Sequence, residues 1–362
     1  MTSKTKPTIL FLLAILFLVS CDPLVTEFPT KQPAREYTAN TIIVPLNKDT
    51  LTVVTWNIRF GIGRAEWFGD SCGELVLFNK DEIQNGLELL AAKIIAMDAD
   101  ILLLQEVDID SKRSAYIDQV QWLLDNTAMN YGVYASMWDV QFVPSDGLGR
   151  VNTGNAILSR WPLSEAERLQ LSLRGDQDDL TKAFYVRRNV LRAKVNYPDS
   201  PFWAVDIHAS AFSNDDTKQK QYMEFKDVLD ELDNQGKIFI AGGDLNELPP
   251  GAVKNNYCDN DRCPGESEED DEGCDFSNET TWISPLFDSY VPAVSLADYQ
   301  QDEDLYFTHA SNHDPSDERY HWNRKLDYLF TNTNWVVLSA VTHQDAVMES
   351  DHVAVGAKWV VP

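Results

Sequence analysis

Short apolar runs alternate along most of the chain with longer segments in which apolar residues recur at helical spacing. The runs at 101–104 and 239–241 are apolar at consecutive positions, which is typical of strands covered on both faces. By contrast, Ile83, Leu87 and Ile94 share one face of a helix that begins after Asn79. The pattern predicts helices at 79–97, 115–127 and 217–232, and strands at 51–58, 100–106, 154–163, 189–197, 202–210, 237–244, 325–331, 335–341 and 352–361.

Strands buried on both faces, with helices interleaved between them, favour two β-sheets packed face to face with helices outside. This architecture is an α/β (α+β) four-layer sandwich. The chain has 362 residues, of which 44% are hydrophobic and 24% are charged, a composition ordinary for a globular protein. Because no linker interrupts the pattern, we expect a single domain over 49–362.

The first residues predict a processing signal. Lys4 and Lys6 precede TILFLLAILFLVS, which is short for a membrane span but suits the core of a signal peptide at 1–20. The stretch ends in LVSC, which resembles the bacterial lipoprotein cleavage box, so we expect Cys21 to carry the lipid. A plain secretory signal with a chance cysteine is the alternative. We interpret 21–48 as a tether that holds the protein to a membrane of the cell envelope, periplasmic or surface-exposed.

Four further cysteines follow, and an even number outside the cytoplasm favours two disulfides with three possible pairings. They are Cys72, Cys258, Cys263 and Cys274. The alternative is a zinc site at the closely spaced Cys258 and Cys263, but it lacks a nearby histidine. The last three cysteines flank an acidic stretch at about 255–278, which we interpret as a disulfide-pinned surface insertion.

The formal net charge of −27 makes extended nucleic acid a disfavoured partner. Removal of 1–20, with two lysines, makes the mature protein more acidic still. We expect a monomer.

Polar side chains recur where the apolar strands end. Placing a polar group on a buried strand costs free energy unless it is paired, so a set of them at strand ends indicates a shared site. They are Asn57, Glu106, His208, Asp244, Asn246, Asp327, Asp351 and His352.

The motifs TWN, QE, GNAILSR, DIH, GGDLN, KLDY and SDH occur here in the order found in the endonuclease/exonuclease/phosphatase superfamily. The chain resembles this superfamily over roughly 50–360, and the full set in order is specific although each motif alone is weak. The resemblance implies a deoxyribonuclease-like four-layer sandwich and hydrolysis of a phosphate ester.

The resemblance also implies a divalent cation, because hydrolysis of an anionic ester requires its charge to be neutralised. Glu106 would be the principal metal ligand, assisted by Asn57 and Asp351. Mg²⁺ or Mn²⁺ is expected, with Ca²⁺ as a third candidate.

The remaining motif residues receive roles in moving protons. His352, oriented by Asp327, would contact the phosphate and transfer a proton. Asp244 would orient or deprotonate the attacking water, and Asn246 would steady the water or the developing oxyanion. His208 would donate to the phosphate or to the leaving group.

The roles of three further positions are less sharply defined by the motifs. Asn155 would either order the wall of the site or serve only its strand, and Arg188, next to Arg187, would contact an anionic substrate. Ala354 stands where the superfamily usually has proline, a difference that bears on strand entry and not on the chemistry.

The sequence thus predicts a lipid-anchored, metal-dependent phosphodiesterase or phosphomonoesterase that acts outside the cytoplasm. A secreted or surface nuclease is the alternative enzyme and would need a basic groove. A non-catalytic surface-binding lipoprotein is the alternative of another class. It would have no need for both a metal carboxylate and an aspartate-oriented histidine.

Overall fold

The computed structural model describes residues 25–69, 72–143, 145–211, 213, 215–263, 274–279, 281–311 and 321–362. The predicted signal peptide at 1–20 and Cys21 lie outside these residues, as does 264–273 of the acidic insertion. Among the described residues, no helix combines the length and apolar composition needed to cross a bilayer.

The described residues form two seven-stranded sheets, each with parallel and antiparallel pairs. The first sheet has the order β13-β14-β3-β4-β6-β5-β2, and the second has the order β1-β7-β8-β9-β10-β12-β11. The strands are β1 (Lys31–Pro33), β2 (Arg35–Thr38), β3 (Thr50–Asn57), β4 (Ile101–Asp108), β5 (Tyr131–Val143), β6 (Gly149–Ser159), β7 (Leu163–Gln170), β8 (Asn189–Val195), β9 (Phe202–His208), β10 (Phe239–Asp244), β11 (Val291–Pro292), β12 (Asp327–Thr331), β13 (Val341–Thr342) and β14 (Val355–Val360).

Helices occupy the segments between these strands. The α-helices of the described residues are α1 (Lys80–Ala96), α2 (Gln119–Asn126), α3 (Asp179–Lys182), α4 (Thr217–Asn234), α5 (Cys258–Asp261), α6 (Ser284–Ser289) and α7 (Leu296–Gln301), and 3₁₀ turns occur at Arg59–Gly61, Lys112–Ser114, Ser145–Gly147 and Glu303–Tyr306. Asn79 caps α1, as its sequence predicts, through a reciprocal capping box with Glu82.

Three apolar clusters account for the layers. Alternation along β3 places Leu51 and Val53 between the sheets, whereas Val54 and Trp56 face outward under α1 and α2. Helices α4 and α6 cover the outer face of the second sheet. The predicted four-layer sandwich is confirmed.

The prediction of a tether at 21–48 is wrong from Val25 onward. Strand β2 pairs with β5 on the edge of the first sheet, and β1 pairs with β7 on the edge of the second. Val25 already forms a bridge with Val140. The described part of the folded body therefore already includes Val25, well ahead of the predicted boundary at 49.

The strand predictions also need correction at several places. Strands β5 and β7 were not predicted, because their polar and apolar residues do not form a continuous apolar run. No continuous strand spans the predicted segment 335–341, where Trp335 forms only an isolated bridge with Trp359 and β13 begins at Val341. Val337 and Leu338 there are 85% and 87% exposed, and Leu338 has a φ of +56°, which a regular strand does not allow.

Two disulfides connect the four described cysteines, which confirms the prediction of disulfides and excludes the zinc alternative. Cys72 bonds Cys263, and Cys258 bonds Cys274. The first bond joins the loop after β3 to the insertion, and the second closes the insertion on itself.

Candidate functional site

The predicted site residues meet at one end of the two sheets. Strands β9 and β10 run parallel, and β12 is antiparallel to β10, so Asp244 lies opposite both His208 and Asp327 in register. In the facing sheet, Asn57 ends β3 and is level with Gln105 of β4. Both sheets therefore deliver polar side chains to the same edge.

The Oδ2 atom of Asp244 is the meeting point of these side chains. Asn57 Nδ2 donates to it over 3.1 Å. The Nε2 atoms of His208 and His352 lie 3.4 Å and 3.7 Å from it. These three groups fix the direction of the Asp244 carboxylate, a group type that can act as a general base toward water.

Glu106 reaches this point because β4 bulges. The register of β4 against β6 shifts between Leu104 and Val107, and Glu106 has a φ of +56° within the bulge. A left-handed conformation is costly for a residue with a side chain and is retained mainly where it re-aims a functional group. Glu106 Oε1 accepts from Asn57 Nδ2 over 3.2 Å and lies 3.9 Å from His208 Nε2.

His352 is held from several directions. Its Nδ1 lies 2.9 Å from Asp327 Oδ2, and its backbone carbonyl accepts from Trp56 Nε1. The Ser350 hydroxyl, two residues earlier, donates to the carbonyl of Asn57. Although burial opposes the charged form, the carboxylates of Asp327, Asp244 and Asp351 raise the pKa of His352 to about 10. Its ring is therefore an imidazolium at neutral pH.

Burial is the main cause of the pKa shifts of Asp244 and His208. Burial raises the pKa of Asp244 to about 6, against the opposing effect of His352. Burial, assisted by the positive charges of Arg188 and His352, lowers the pKa of His208 well below its ordinary value. The site thus contains one cationic and one neutral imidazole on the two sides of one carboxylate.

Asp351 forms an ion pair with Arg59, whose Nε lies 3.2 Å from Asp351 Oδ2. Arg59 is only 1% exposed and also donates to the carbonyl of Gly63. It follows Asn57 closely in the chain and turns inward through positive φ angles at Arg59 and Phe60. The predicted metal ligand Asp351 is accordingly ion-paired with a buried guanidinium.

Asn246 and Asn155 make local contacts. The backbone N–H of Asn246 donates to Asp244 Oδ1, and its side chain donates to the carbonyl of Ala209, so it fixes the loop after β10. Asn155 is fully buried on β6 and donates to the carbonyl of Asn189, and its Oδ1 has no hydrogen-bond partner among the described residues.

The consecutive residues Arg187 and Arg188 make different contacts. Arg187 Nη2 forms an ion pair with Glu27 Oε1 over 2.6 Å and so binds the N-terminal segment. Arg188 has a contact from Nη1 to Met137 Sδ, and in the described part of the chain its Nε has no hydrogen-bond partner. Burial lowers the pKa of Arg188, and the charges of Glu106 and Asp244 oppose this, which places its guanidinium within electrostatic range of the site.

Sequence reasoning did not find several residues of the site. Arg59 was overlooked although it stands two residues after the TWN motif. The ring centroids of His309 and His352 are 4.7 Å apart, and Thr308 Oγ1 accepts from the backbone N–H groups of Leu326 and Asp327. No periodicity or motif marks Thr308 and His309, which lie in a loop.

The donor types suit a hard divalent cation, which prefers carboxylate and amide oxygens. Within the described residues, ligand atoms of Asp244, Asp327 and His352 lie within 4.8 Å of one another. This grouping shares no residue with the predicted metal set of Asn57, Glu106 and Asp351. Asn57 nevertheless joins the two, since its Nδ2 contacts both Glu106 and Asp244.

The chain is similar in sequence to one protein family. A model of the "Endonuclease/Exonuclease/phosphatase family" matches residues 54–352. A search of curated proteins finds no match.

Solved structures share the fold. An endonuclease/exonuclease/phosphatase from Beutenbergia cavernae is 18% identical with a TM-score of 0.58, over 87% of this chain and 72% of that one. The human Nocturnin catalytic domain, solved with a sulfate anion, is 16% identical with a TM-score of 0.51, over 90% and 96%. A Bacteroides vulgatus endonuclease/exonuclease/phosphatase is 13% identical with a TM-score of 0.51, over 86% and 98%.

Proposed function

Because the chain belongs to the endonuclease/exonuclease/phosphatase family, whose members hydrolyse phosphoric esters, we propose that it is a divalent-metal-dependent phosphoesterase of the cell envelope. It would cleave a phosphodiester or phosphomonoester by in-line attack of water. The observation that carries this proposal is the convergence of Asn57, His208 and His352 on one oxygen of Asp244.

Enzymes of this family generally use a divalent metal. Glu106, Asn57 and Asp351 would hold it, with Asp244 close enough to share a ligand shell, and Mg²⁺ or Mn²⁺ fits their oxygen donors. When bound, such a cation supplies charge neutralisation for the phosphate.

The side chains of the chain itself account for the proton transfers. Asp244 Oδ2 would take a proton from water, and the carboxylate is oriented by Asn57 Nδ2, which donates to Oδ2, and by the backbone N–H of Asn246, which donates to Oδ1. The Nε2–H of cationic His352 would contact the phosphate, since Asp327 already occupies Nδ1. Cationic His352 would pass this proton to the leaving oxygen. Neutral His208 would donate only a hydrogen bond, to the phosphate or to the leaving group, from the opposite side.

The charge of the protein bears on its substrate. A formal net charge of −27 favours a small or lipid-derived ester over a long polyanion. Arg188, which lies near Glu106 and Asp244, would contact an anionic group of that substrate. A nuclease is the second candidate because the fold is shared with nucleases, and nicking of a plasmid at low salt would reveal it.

The test uses purified residues 22–362 and bis-p-nitrophenyl phosphate. We expect hydrolysis with Mg²⁺ or Mn²⁺ and none with EDTA, and a loss of about 10²- to 10⁴-fold in kcat for His352→Ala. Glu106→Ala should abolish metal-dependent activity, whereas Glu165→Ala, at an exposed glutamate, should not. Full activity in EDTA, or unchanged rates for Glu106→Ala and His352→Ala, would refute the mechanism.

A further inference from the structure

The N-terminal segment is fixed to the end of a long hairpin. Val25 bridges Val140, Val25 N–H donates to the carbonyl of Ala183, and Thr26 N–H donates to the carbonyl of Asp139. Since Val25 lies opposite Val140 and Thr26 opposite Asp139, the chain runs toward the hairpin tip as its residue numbers fall.

This tip lies beyond the site, at the same end of the molecule. On β6, Asn155 is level with the Glu106 bulge of β4 and lies opposite Ala135 of β5. Val151, opposite Val140, comes four residues nearer the tip. At about 3.3 Å per residue, Val25 is therefore about 13 Å above the level of the site.

The tip has its own small apolar cluster, which includes Val25. Buried residues form its centre, and Phe68, Val76, Trp138 and Phe184 pack around them; the centre consists of Val25, Val140, Val143, Leu148 and Val151. Apolar side chains next to this cluster are nevertheless exposed. Phe142 on the hairpin is 54% exposed, and Leu75 and Leu77, which flank Val76, are 50% and 42% exposed.

The length of chain between Cys21 and Val25 limits how far the tip can lie from a lipid on Cys21. Four residues span at most about 14 Å when fully extended. A lipid on Cys21 would therefore hold the tip, with its exposed Phe142, close to the bilayer surface.

We propose that the tip of the β5–β6 hairpin is a membrane-docking surface, which holds the mouth of the site at the bilayer, where its substrate is the phosphate ester of a lipid headgroup. This inference rests on the proposed phosphoesterase function and on lipidation of Cys21. Phe142, Leu75 and Leu77 would enter the interface, as exposed apolar side chains do at membrane-binding surfaces.

The docking test uses the full lipidated chain in phosphatidylcholine vesicles, with an environment-sensitive fluorophore on a single introduced cysteine. Phe142→Cys reports the tip. Ile43→Cys is the matched control, because Ile43 is 55% exposed but lies in the loop between β2 and β3, at the opposite end of the first sheet. Spin-labelled lipids should quench the fluorophore at 142 and leave that at 43 unquenched. Equal quenching, quenching at 43 alone, or none at either position would overturn the docking.

The substrate test measures headgroup release from vesicles that also contain phosphatidylethanolamine and phosphatidylglycerol. A flexible insertion of about 20 residues before Val25 lets the body move about 25 Å from its anchor. We expect this insertion to lower headgroup release about tenfold while hydrolysis of bis-p-nitrophenyl phosphate stays unchanged. Hydrolysis of the soluble diester without headgroup release, or with release insensitive to the insertion, would overturn the lipid substrate. Loss of the soluble activity in every variant would instead refute the proposed function, and the quenching result does not depend on catalysis.

Discussion

Nδ1 of His352 lies 2.9 Å from Oδ2 of Asp327, in a pair buried at the edge where the two sheets meet. The carboxylate fixes the ring so that Nε2 points toward Asp244, 3.7 Å away. It also contributes to the high pKa of His352. One aspartate thus controls both the direction and the charge of the imidazole.

Replacement of this carboxylate should impair catalysis more than folding. We expect Asp327→Asn to lower kcat by about 10²- to 10⁴-fold, because the imidazole loses its orientation and its counter-charge. A titration of the His352 ring by NMR should show its pKa falling below about 10. Asp100→Asn is the control, since Asp100 is buried at the opposite end of β4, where it pairs with Lys48. A variant with normal kcat, or with an unchanged His352 pKa, would contradict the assigned role.

Removal of the Glu106 charge should weaken metal binding. We expect Glu106→Gln to lower Mn²⁺ affinity by more than about 10- to 100-fold, the range typical of residues that merely support a metal ligand. Isothermal titration calorimetry measures this directly. Glu165→Gln provides a close control, because Glu165 also has a left-handed backbone, with φ of +52°, at a β-bulge but is exposed. Equal affinity for the two variants would exclude Glu106 as a ligand.

The buried lysine next to Asp327 should make stability depend on pH. Burial lowers the pKa of Lys325 to about 8, below the ordinary value of 10.5. Between these two pH values the unfolded chain binds a proton that the folded chain lacks, so the free energy of unfolding rises with pH. Relative to Lys325→Met, the wild type should gain about 3 kcal/mol from pH 8 to 10.5. Urea unfolding of both proteins measures the difference, and a constant or shrinking advantage would contradict a buried neutral lysine.

The two disulfides should contribute unequally to stability. Cys72 and Cys263 are 191 residues apart, whereas Cys258 and Cys274 are 16 apart. A longer loop restricts the unfolded chain more, so the Cys72→Ser/Cys263→Ser pair should lose about 2 kcal/mol more than the Cys258→Ser/Cys274→Ser pair. Chemical denaturation without reductant compares them. A larger loss for the short loop would show that native contacts of the insertion outweigh the chain entropy.

Much of the fold could be predicted from the sequence because its central strands are apolar at consecutive positions, its two long helices have a regular apolar face, and Asn79 caps the first of them. Strands β1 and β2 were missed because they are short edge strands with polar residues, and only their pairing partners stabilise them. The segment at 335–341 was wrongly assigned because an apolar run there is exposed. Hydrophobicity alone cannot separate these cases.

Most residues of the site could be predicted from the sequence for a related reason. Polar residues at the ends of buried strands meet wherever the sheets place those ends, so their positions follow from the strand order. Arg59 and Asp351 approach each other across almost the whole chain through a left-handed turn, and no local pattern encodes such a contact. His309 reaches His352 from a loop in the same way.

The left-handed backbone conformation of Glu106 has a consequence for the selection of thermostable variants of this protein. Glycine or asparagine would relax that position, so a screen for heat resistance alone should enrich them there and discard the carboxylate. Thermal stability and catalysis thus favour different residues at position 106, and a library intended to retain activity must keep glutamate there.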